Sequence, residues 1–169
     1  MEKNKIKIYL CDLVHNYVGA GTYMFPLNIG FIAAWVKKYF PEKVDIELFK
    51  YPSDFIKRFK EEKPDLIGFA NYTWNADLNN RLSAWVKSLA PQTIIVFGGP
   101  NINYSQKGYQ KFFNNHKGVD FYAIYQGEVA FVRTADIVNN RFRAGTTFIS
   151  KQAVDDYKTG KNMRERRGG

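Results

Sequence analysis

Cysteine is nearly missing from this 169-residue sequence, which holds only Cys11. A single thiol excludes an internal disulfide framework, and equally any multi-cysteine zinc or iron–sulfur site within the chain. Long apolar runs are missing too, since none approaches the roughly 18–20 residues of a membrane span. No membrane partner is therefore expected. The opening MEKNKIKIYL passes from a lysine-rich stretch straight into a strand pattern, without the apolar region and small-residue cleavage site of a secretory leader. A cytoplasmic location is the expectation. No internal repeat is visible.

What is present suits one domain of ordinary size: hydrophobic residues make up 45% of the chain and charged residues 24%, enough for a single core without staples. The net charge of +9 suggests nucleic acid until it is located. Residues 141–169 hold eight Lys/Arg against three Asp/Glu, whereas the first 140 hold 17 against 13. Much of the excess thus sits in the tail KTGKNMRERRGG, which lacks apolar periodicity and reads as solvated. A groove-binding surface needs basic residues gathered on one ordered face, so a nucleic-acid partner is not expected. The division expected is a ligand-binding domain over 1–140 and a partly disordered extension or linker over 141–169.

Strand and helix signals alternate. KIKIYLC (Lys5–Cys11) alternates and then turns wholly apolar, as a strand entering a sheet covered on both faces does. A glycine-bearing loop over Asp12–Phe25 leads to Pro26, suited to a first helical turn, and to a helix Leu27–Phe40. That helix is apolar around most of its circumference and should be well buried, Trp35 included. VDIELF (Val44–Phe49) alternates strictly and reads as an edge strand. Ser53 is expected to cap a short helix that ends before Pro64. DLIGFA (Asp65–Ala70) and TIIVF (Thr93–Phe97) suit central strands, separated by a helix Ala76–Ala90 with Leu78, Leu82, Trp85, Val86 and Leu89 on one stripe. A weaker amphipathic piece over Tyr104–Asn115, a strand Asp120–Ile124 and a helix Glu128–Asn140 follow. Thr146–Ser150 could add an edge strand. Five strands separated by helices predict an α/β fold: an open five-stranded parallel sheet with helices on both faces, flavodoxin-like or Rossmann-like.

In such a sheet ligands bind beyond the carboxyl ends of the strands, where strand order reverses. That directs attention to the loops Asp12–Phe25, Asn71–Asn75, Gly98–Asn103 and Tyr125–Glu128, rich in Gly, Asn, Tyr and His. Common tenants fail in turn. Gly19-Ala20-Gly21-Thr22-Tyr23-Met24 lacks the third glycine of a dinucleotide fingerprint and lies well before the helix. Leu13–Val18 offers no Ser/Thr-rich turn for a flavin phosphate, Phe69-Ala70-Asn71 no phospho-acceptor carboxylate, and no P-loop occurs.

Four stretches carry a resemblance instead. They are Asp12-Leu13-Val14-His15 followed by Phe25–Ala34 (FPLNIGFIAA), Pro64–Asn75 (PDLIGFANYTWN), Val96–Asn101 (VFGGPN), and Tyr125–Phe131 (YQGEVAF), a variant of a G-E-G-E segment. Each alone is weak; together, in order over about residues 5–140, the chain resembles the cobalamin-binding domain at the N-terminus of radical S-adenosylmethionine enzymes. The resemblance implies cobalamin as cofactor. It also implies a barrel domain bearing C-x-x-x-C-x-x-C, which holds an iron–sulfur cluster and cleaves S-adenosylmethionine. With one cysteine this chain cannot contain that site. The expectation is a cofactor module, either cut from a longer enzyme or working with a separate catalytic chain. It binds without catalysing; the parent chemistry is radical methyl transfer or a related rearrangement.

Site residues follow from the same match. A corrinoid is a broad disc with a nucleotide tail, so Gly98 and Gly99 are expected to let backbone approach the tail, with Pro100 and Asn101 beside them. Asn71, Tyr72, Thr73 and Trp74 are expected along the slot or the lower ring face. Gln126, Gly127 and Glu128 would close one side, with helix N-terminal amides facing the ligand. Asp12 and Val14 line the first loop. The family's D-x-H-x-x-G is altered here to Asp12-Leu13-Val14-His15-Asn16-Tyr17-Val18-Gly19, with one extra residue in each gap. His15 is the only candidate cobalt ligand, and the spacing better suits a lower face without histidine. Structural readings stand beside these: Gly98-Gly99 as a plain turn, Glu128 serving its own helix N-terminus, Cys11 as inert filler, His116 as an exposed side chain. Two other functions stay open. One is a degenerate docking or substrate-recognition module without corrinoid, favoured by the altered motif and by Gln126. The other is a basic nucleic-acid-associated protein, supported by the tail alone.

Overall fold

The computed structural model describes residues 5–15, 25–138 and 148–150. Its elements are β1 (Ile6–Cys11), α1 (Leu27–Tyr39), β2 (Val44–Phe49), α2 (Pro52–Glu61), β3 (Leu66–Ala70), α3 (Ala76–Leu89), β4 (Ile94–Gly98), α4 (Gln106–Asn115), β5 (Phe121–Ala123), α5 (Gly127–Val138) and β6 (Phe148–Ser150). The strand order is β2-β1-β3-β4-β5-β6. β1 to β5 are parallel throughout, and the sixth joins β5 antiparallel, pairing Phe121 with Ser150 and Ala123 with Phe148. The predicted five-stranded parallel sheet is thus present, extended by the edge strand read from TTFIS. The rest of 141–169 lies outside the described residues, as do Asn16–Gly19 of the first loop and the glycine pair at 19 and 21.

Alternation along the strands builds two cores. Tyr9, Cys11, Ile67, Phe69, Ile95, Phe97 and Tyr122 face α2, α3 and α4 in an aromatic-rich layer. Leu10, Leu66, Val96 and Ala123 face α1 and α5. The first layer is filled by edge-to-face rings, such as Tyr9 on Phe49 at 4.9 Å and Phe69 on Phe97 at 5.4 Å between centroids. The second is lighter, and towards the carboxyl ends of the strands its residues shrink to Gly68, Ala70, Gly98 and Ala123.

Several expectations need correction. Helix α1 buries only Ile29, Ala33 and Val36. Phe31 is 62% exposed, and Trp35, expected in the core, lies on the outer face against Tyr39 and Lys38. Two layers can cover only one stripe of a helix, and α1 has no third layer outside it among the described residues. Ser53 does not cap α2: Tyr51 is the N-cap, Pro52 opens the helix, and the Ser53 hydroxyl donates to Asp54 instead. Proline at the first position fixes the entry dihedral and displaces the cap by two residues. Leu89 is half exposed at the end of α3, while Trp85 packs on Phe59 at 5.1 Å. His116 is not merely exposed: half buried, it ends α4, its Nδ1 donates to the Phe112 carbonyl at 2.8 Å, and its ring stacks on Phe112. No helix among the described residues is long and apolar enough to cross a membrane.

Candidate functional site

Strand order reverses between β1 and β3, since β1 pairs with β2 on one side and β3 on the other. Above their carboxyl ends, beneath α1 and α5, lies a cavity of about 220 Å³. Its floor is Leu10, Gly68, Ala70, Val96, Gly98 and Ala123 from the sheet; Ile29, Ile32 and Phe131 wall it from the two helices. At the mouth stand Asn28, Tyr72, Gly99, Tyr125, Gly127 and Glu128. Polarity and depth run together: Leu10, Val96 and Phe131 are at most 3% exposed, whereas Asn28, Tyr72, Tyr125 and Glu128 all reach solvent.

Glycine is required at two places in this wall. A Cβ on Gly68 would sit 2.5 Å from the Phe131 ring and 3.0 Å from Leu10. One on Gly99 would sit 2.6 Å from the Asn71 carbonyl oxygen, and its φ of +128° is a conformation side chains rarely adopt. Gly68 thus makes room for the Phe131 ring, and Gly99 for the Asn71 backbone.

The loop after β3 is fixed by amides. Asn71 is fully buried; its N–H donates to the Gly98 carbonyl, and its Nδ2 to the Asn101 carbonyl at 3.2 Å and the Tyr122 hydroxyl at 3.3 Å. The Tyr122 hydroxyl donates in turn to the Gly99 carbonyl at 2.9 Å. Burial pushes the Tyr122 hydroxyl up to about 12, so it stays protonated and keeps donating. Asn75 accepts from the Tyr72 N–H at 2.9 Å and donates to the Leu13 carbonyl at 3.2 Å, joining this loop to the one after β1. Asn79 donates to the Ala70 carbonyl at 2.9 Å. Asn71 and Asn79 each keep a buried Oδ1 without a partner.

Of the residues singled out from sequence, Tyr72, Gly98, Gly99, Gly127 and Glu128 come together in the cavity wall. Gln126 and Glu128 also edge a shallow groove against Phe31 and Trp35 of α1. Asn71 lies behind the wall as its latch, with Pro100 and Asn101 in the turn it holds. Asp12 reaches the mouth through Asn28, which also donates to the Tyr72 hydroxyl at 3.3 Å. Val14 donates its N–H to the Lys50 carbonyl, away from the cavity lining. Thr73 and Trp74 are exposed, Trp74 stacking on Tyr72 at 4.4 Å. His15 lies outside the lining as well: its Nε2 donates to the Trp74 carbonyl at 2.9 Å. Among the described residues no three His, Cys, Asp or Glu gather to hold a metal ion.

Sequence reasoning missed Asn28, Gly68, Ala123, Phe131 and Tyr125. Small residues in Gly68 and Ala123 were a readable signal once the face they occupy is known. Tyr125 lay in a loop the strand ends pointed to but was not singled out within it: it is a non-glycine residue at φ +62°, 84% exposed and stacked on Tyr104 at 5.6 Å.

A sheet of order 2-1-3-4-5 with a cavity above its switch point defines a ligand-binding domain of the flavodoxin-like class. The B12 binding domain family matches residues 17–135, and the chain belongs to that family. It is 35% identical over 69 residues to the cobalamin-dependent radical SAM methyltransferase TokK of Streptomyces tokunonensis, a stretch covering 41% of this chain and 10% of TokK. It is similar in fold to the cobalamin-dependent S-adenosylmethionine radical enzyme OxsB, solved with aqua-cobalamin and S-adenosylmethionine bound. The TM-score there is 0.63 at 14% identity, over 82% of this chain and 19% of OxsB. A cobalamin-binding protein from Desulfitobacterium hafniense aligns with a TM-score of 0.57 at 11% identity, over 79% of this chain and 59% of that one. The chain thus spans a small part of the length of the two radical enzymes.

Proposed function

We propose that this chain binds cobalamin with the nucleotide tail in the cavity between the sheet and α1/α5, and without a histidine on cobalt. The observation that carries this reading is the small-residue floor of Gly68, Ala70, Gly98 and Ala123 beneath two helices. They floor a pocket of about 220 Å³ with backbone and small side chains, walled by Ile29, Ile32 and Phe131 and opening towards Asn28, Tyr72 and Tyr125. A flat, largely apolar ligand with a slender appendage fits such a slot; a polyphosphate, needing cationic side chains, does not. Tyr72, Trp74 and Asn28 would support the ring at the mouth, and Gly127 and Glu128 would border it. Bound cobalamin supplies a cobalt-centred methyl carrier. This chain's own share is to bind, to orient, and to keep water from the buried end.

The His15 Nε2–H spent on the Trp74 carbonyl supports a lower cobalt face without imidazole. The partner proposed is a radical S-adenosylmethionine barrel, in cis or in trans, carrying the iron–sulfur cluster and S-adenosylmethionine. The similarity to TokK and OxsB supports this. So does the exposed face of Phe31 and Trp35 beside the cavity mouth, an apolar surface of the kind that adjoining domains cover. The cofactor module would occupy 1–140 in the cytoplasm, with no catalysis by this chain alone.

Mixing the purified chain with hydroxocobalamin, desalting and recording the visible spectrum tests the reading. Retained corrin absorbance is expected; its loss in the flow-through would leave a docking module in its place. His15→Ala is expected to leave the bound spectrum unchanged, and reduced samples should show no imidazole nitrogen splitting in the cobalt(II) paramagnetic resonance signal.

A further inference from the structure

The deep end of the cavity has a chemistry sharper than "apolar". The side chains that reach it, Leu10, Ile29, Ile32, Val96, Ala123 and Phe131, carry carbon only. Its polar lining residues all lie on the solvent side. The strand backbone beneath it is largely paired as well. β3 is paired on both sides, Leu10 with Gly68 and Gly68 with Val96, and Ala123 lies between β4 and β6. The Gly98 carbonyl already accepts from the Asn71 N–H, and the Gly99 carbonyl from the Tyr122 hydroxyl.

From this we infer that the slot selects among corrinoids by their lower base, taking benzimidazole and rejecting adenine. The inference rests on the proposed cobalamin reading and goes beyond it to the specificity of the same site. Both bases are flat and close in size, so shape discriminates weakly. Adenine, however, carries an exocyclic amine and ring nitrogens that water satisfies and this floor does not. Dimethylbenzimidazole presents methyl groups and ring C–H edges to the same surface. A buried donor left without a partner costs far more than a missing methyl contact. Discrimination here is rejection by unpaired polar atoms, and Val96, Ala123 and Phe131 are the residues that enforce it.

The test titrates the whole chain with three corrinoids, following corrin absorbance: cobalamin, the analogue with adenine as lower base, and cobinamide, which lacks the nucleotide. The adenine analogue is expected to bind at least about tenfold more weakly than cobalamin, the scale of one unpaired buried amine. Cobinamide should also bind more weakly than cobalamin. Equal affinity for cobalamin and the adenine analogue, with cobinamide weak, overturns the selectivity and leaves the cofactor reading standing. Cobinamide binding as tightly as cobalamin overturns it by removing the tail from the slot. Binding of none of the three overturns the cofactor reading itself. Val96→Thr adds one hydroxyl to the floor at nearly constant volume and should narrow the ratio between the two bases. Cobalamin retention by that variant reports that it folds, and an unchanged ratio in the folded variant would count against the floor as the selector.

Discussion

Glycine in the middle of a central strand forfeits packing and conformational restraint, so Gly68 needs a reason. The reason is the Phe131 ring, which lies where a Cβ would go. Gly68→Ala is therefore expected to cost about 1–3 kcal/mol in urea melts, as overpacked cores do, and to reduce corrinoid retention. Adding Phe131→Leu should recover most of the stability, because it removes the ring that the new methyl meets. Asp12 offers a different test. Burial raises its carboxyl above the usual range, against a hydrogen bond from Asn28 and the pull of Lys50. The native state thus holds its proton to higher pH than the unfolded chain does. Stability should fall as pH rises from the ordinary carboxylate range through the raised value, then level off. Asp12→Asn should remove that fall, so the variant's advantage in thermal melts should vanish in acid and persist at neutral pH.

At the scale of elements, the turn after β4 is held by side chains from its neighbours. Asn71 from the end of β3 and Tyr122 from β5 share one network, both bonding to the Gly98–Asn101 turn. Tyr122→Phe is expected to cost about 1 kcal/mol, and Asn71→Ala about 1–3 kcal/mol because it takes a donor from the Asn101 carbonyl and another from the Tyr122 hydroxyl. In the double variant the losses should fall short of their sum, since each partner's bond is already lost with the other. Denaturant melts of the four species form the cycle that measures this. The network also shows which elements were legible in the sequence. Strands read well because period two is unambiguous in KIKIYLC and VDIELF, and the strand–helix alternation dictated the parallel sheet. Helix α1 read poorly, because LNIGFIAAWVKKY is apolar on several faces and periodicity cannot say which one a helix of the outer layer leaves bare. Site residues separated by type. Glycines at Gly98 and Gly99 were legible as backbone needing closeness. Phe131 and Ile32 were not, because a wall of a cavity and a member of a core share one composition.

Across the whole molecule, the charge of +9 is a guide to solubility and counter-ions and does not choose the ligand. Where ion pairs cluster they sit far from the cavity, as in Lys7 with Asp45, Glu47 and Glu62 and Arg58 with Glu47, at the edge by β2. Part-buried around Lys7, that network lies away from the cavity and serves the sheet edge. The cavity, by contrast, is apolar at depth, so its occupancy should be insensitive to ionic strength. A ligand that binds only the folded chain stabilises it by mass action, about 2.7 kcal/mol at a hundredfold excess over Kd. For a chain of this length that corresponds to a rise in Tm of roughly 5–10 °C. Cobalamin at saturating concentration is therefore expected to raise the Tm by this amount equally at low and at high salt. An upshift that faded with salt would place the ligand on the basic surface. Under that outcome the ligand would be held by the charge that Lys and Arg supply, and the slot beneath α1 and α5 would be packing alone.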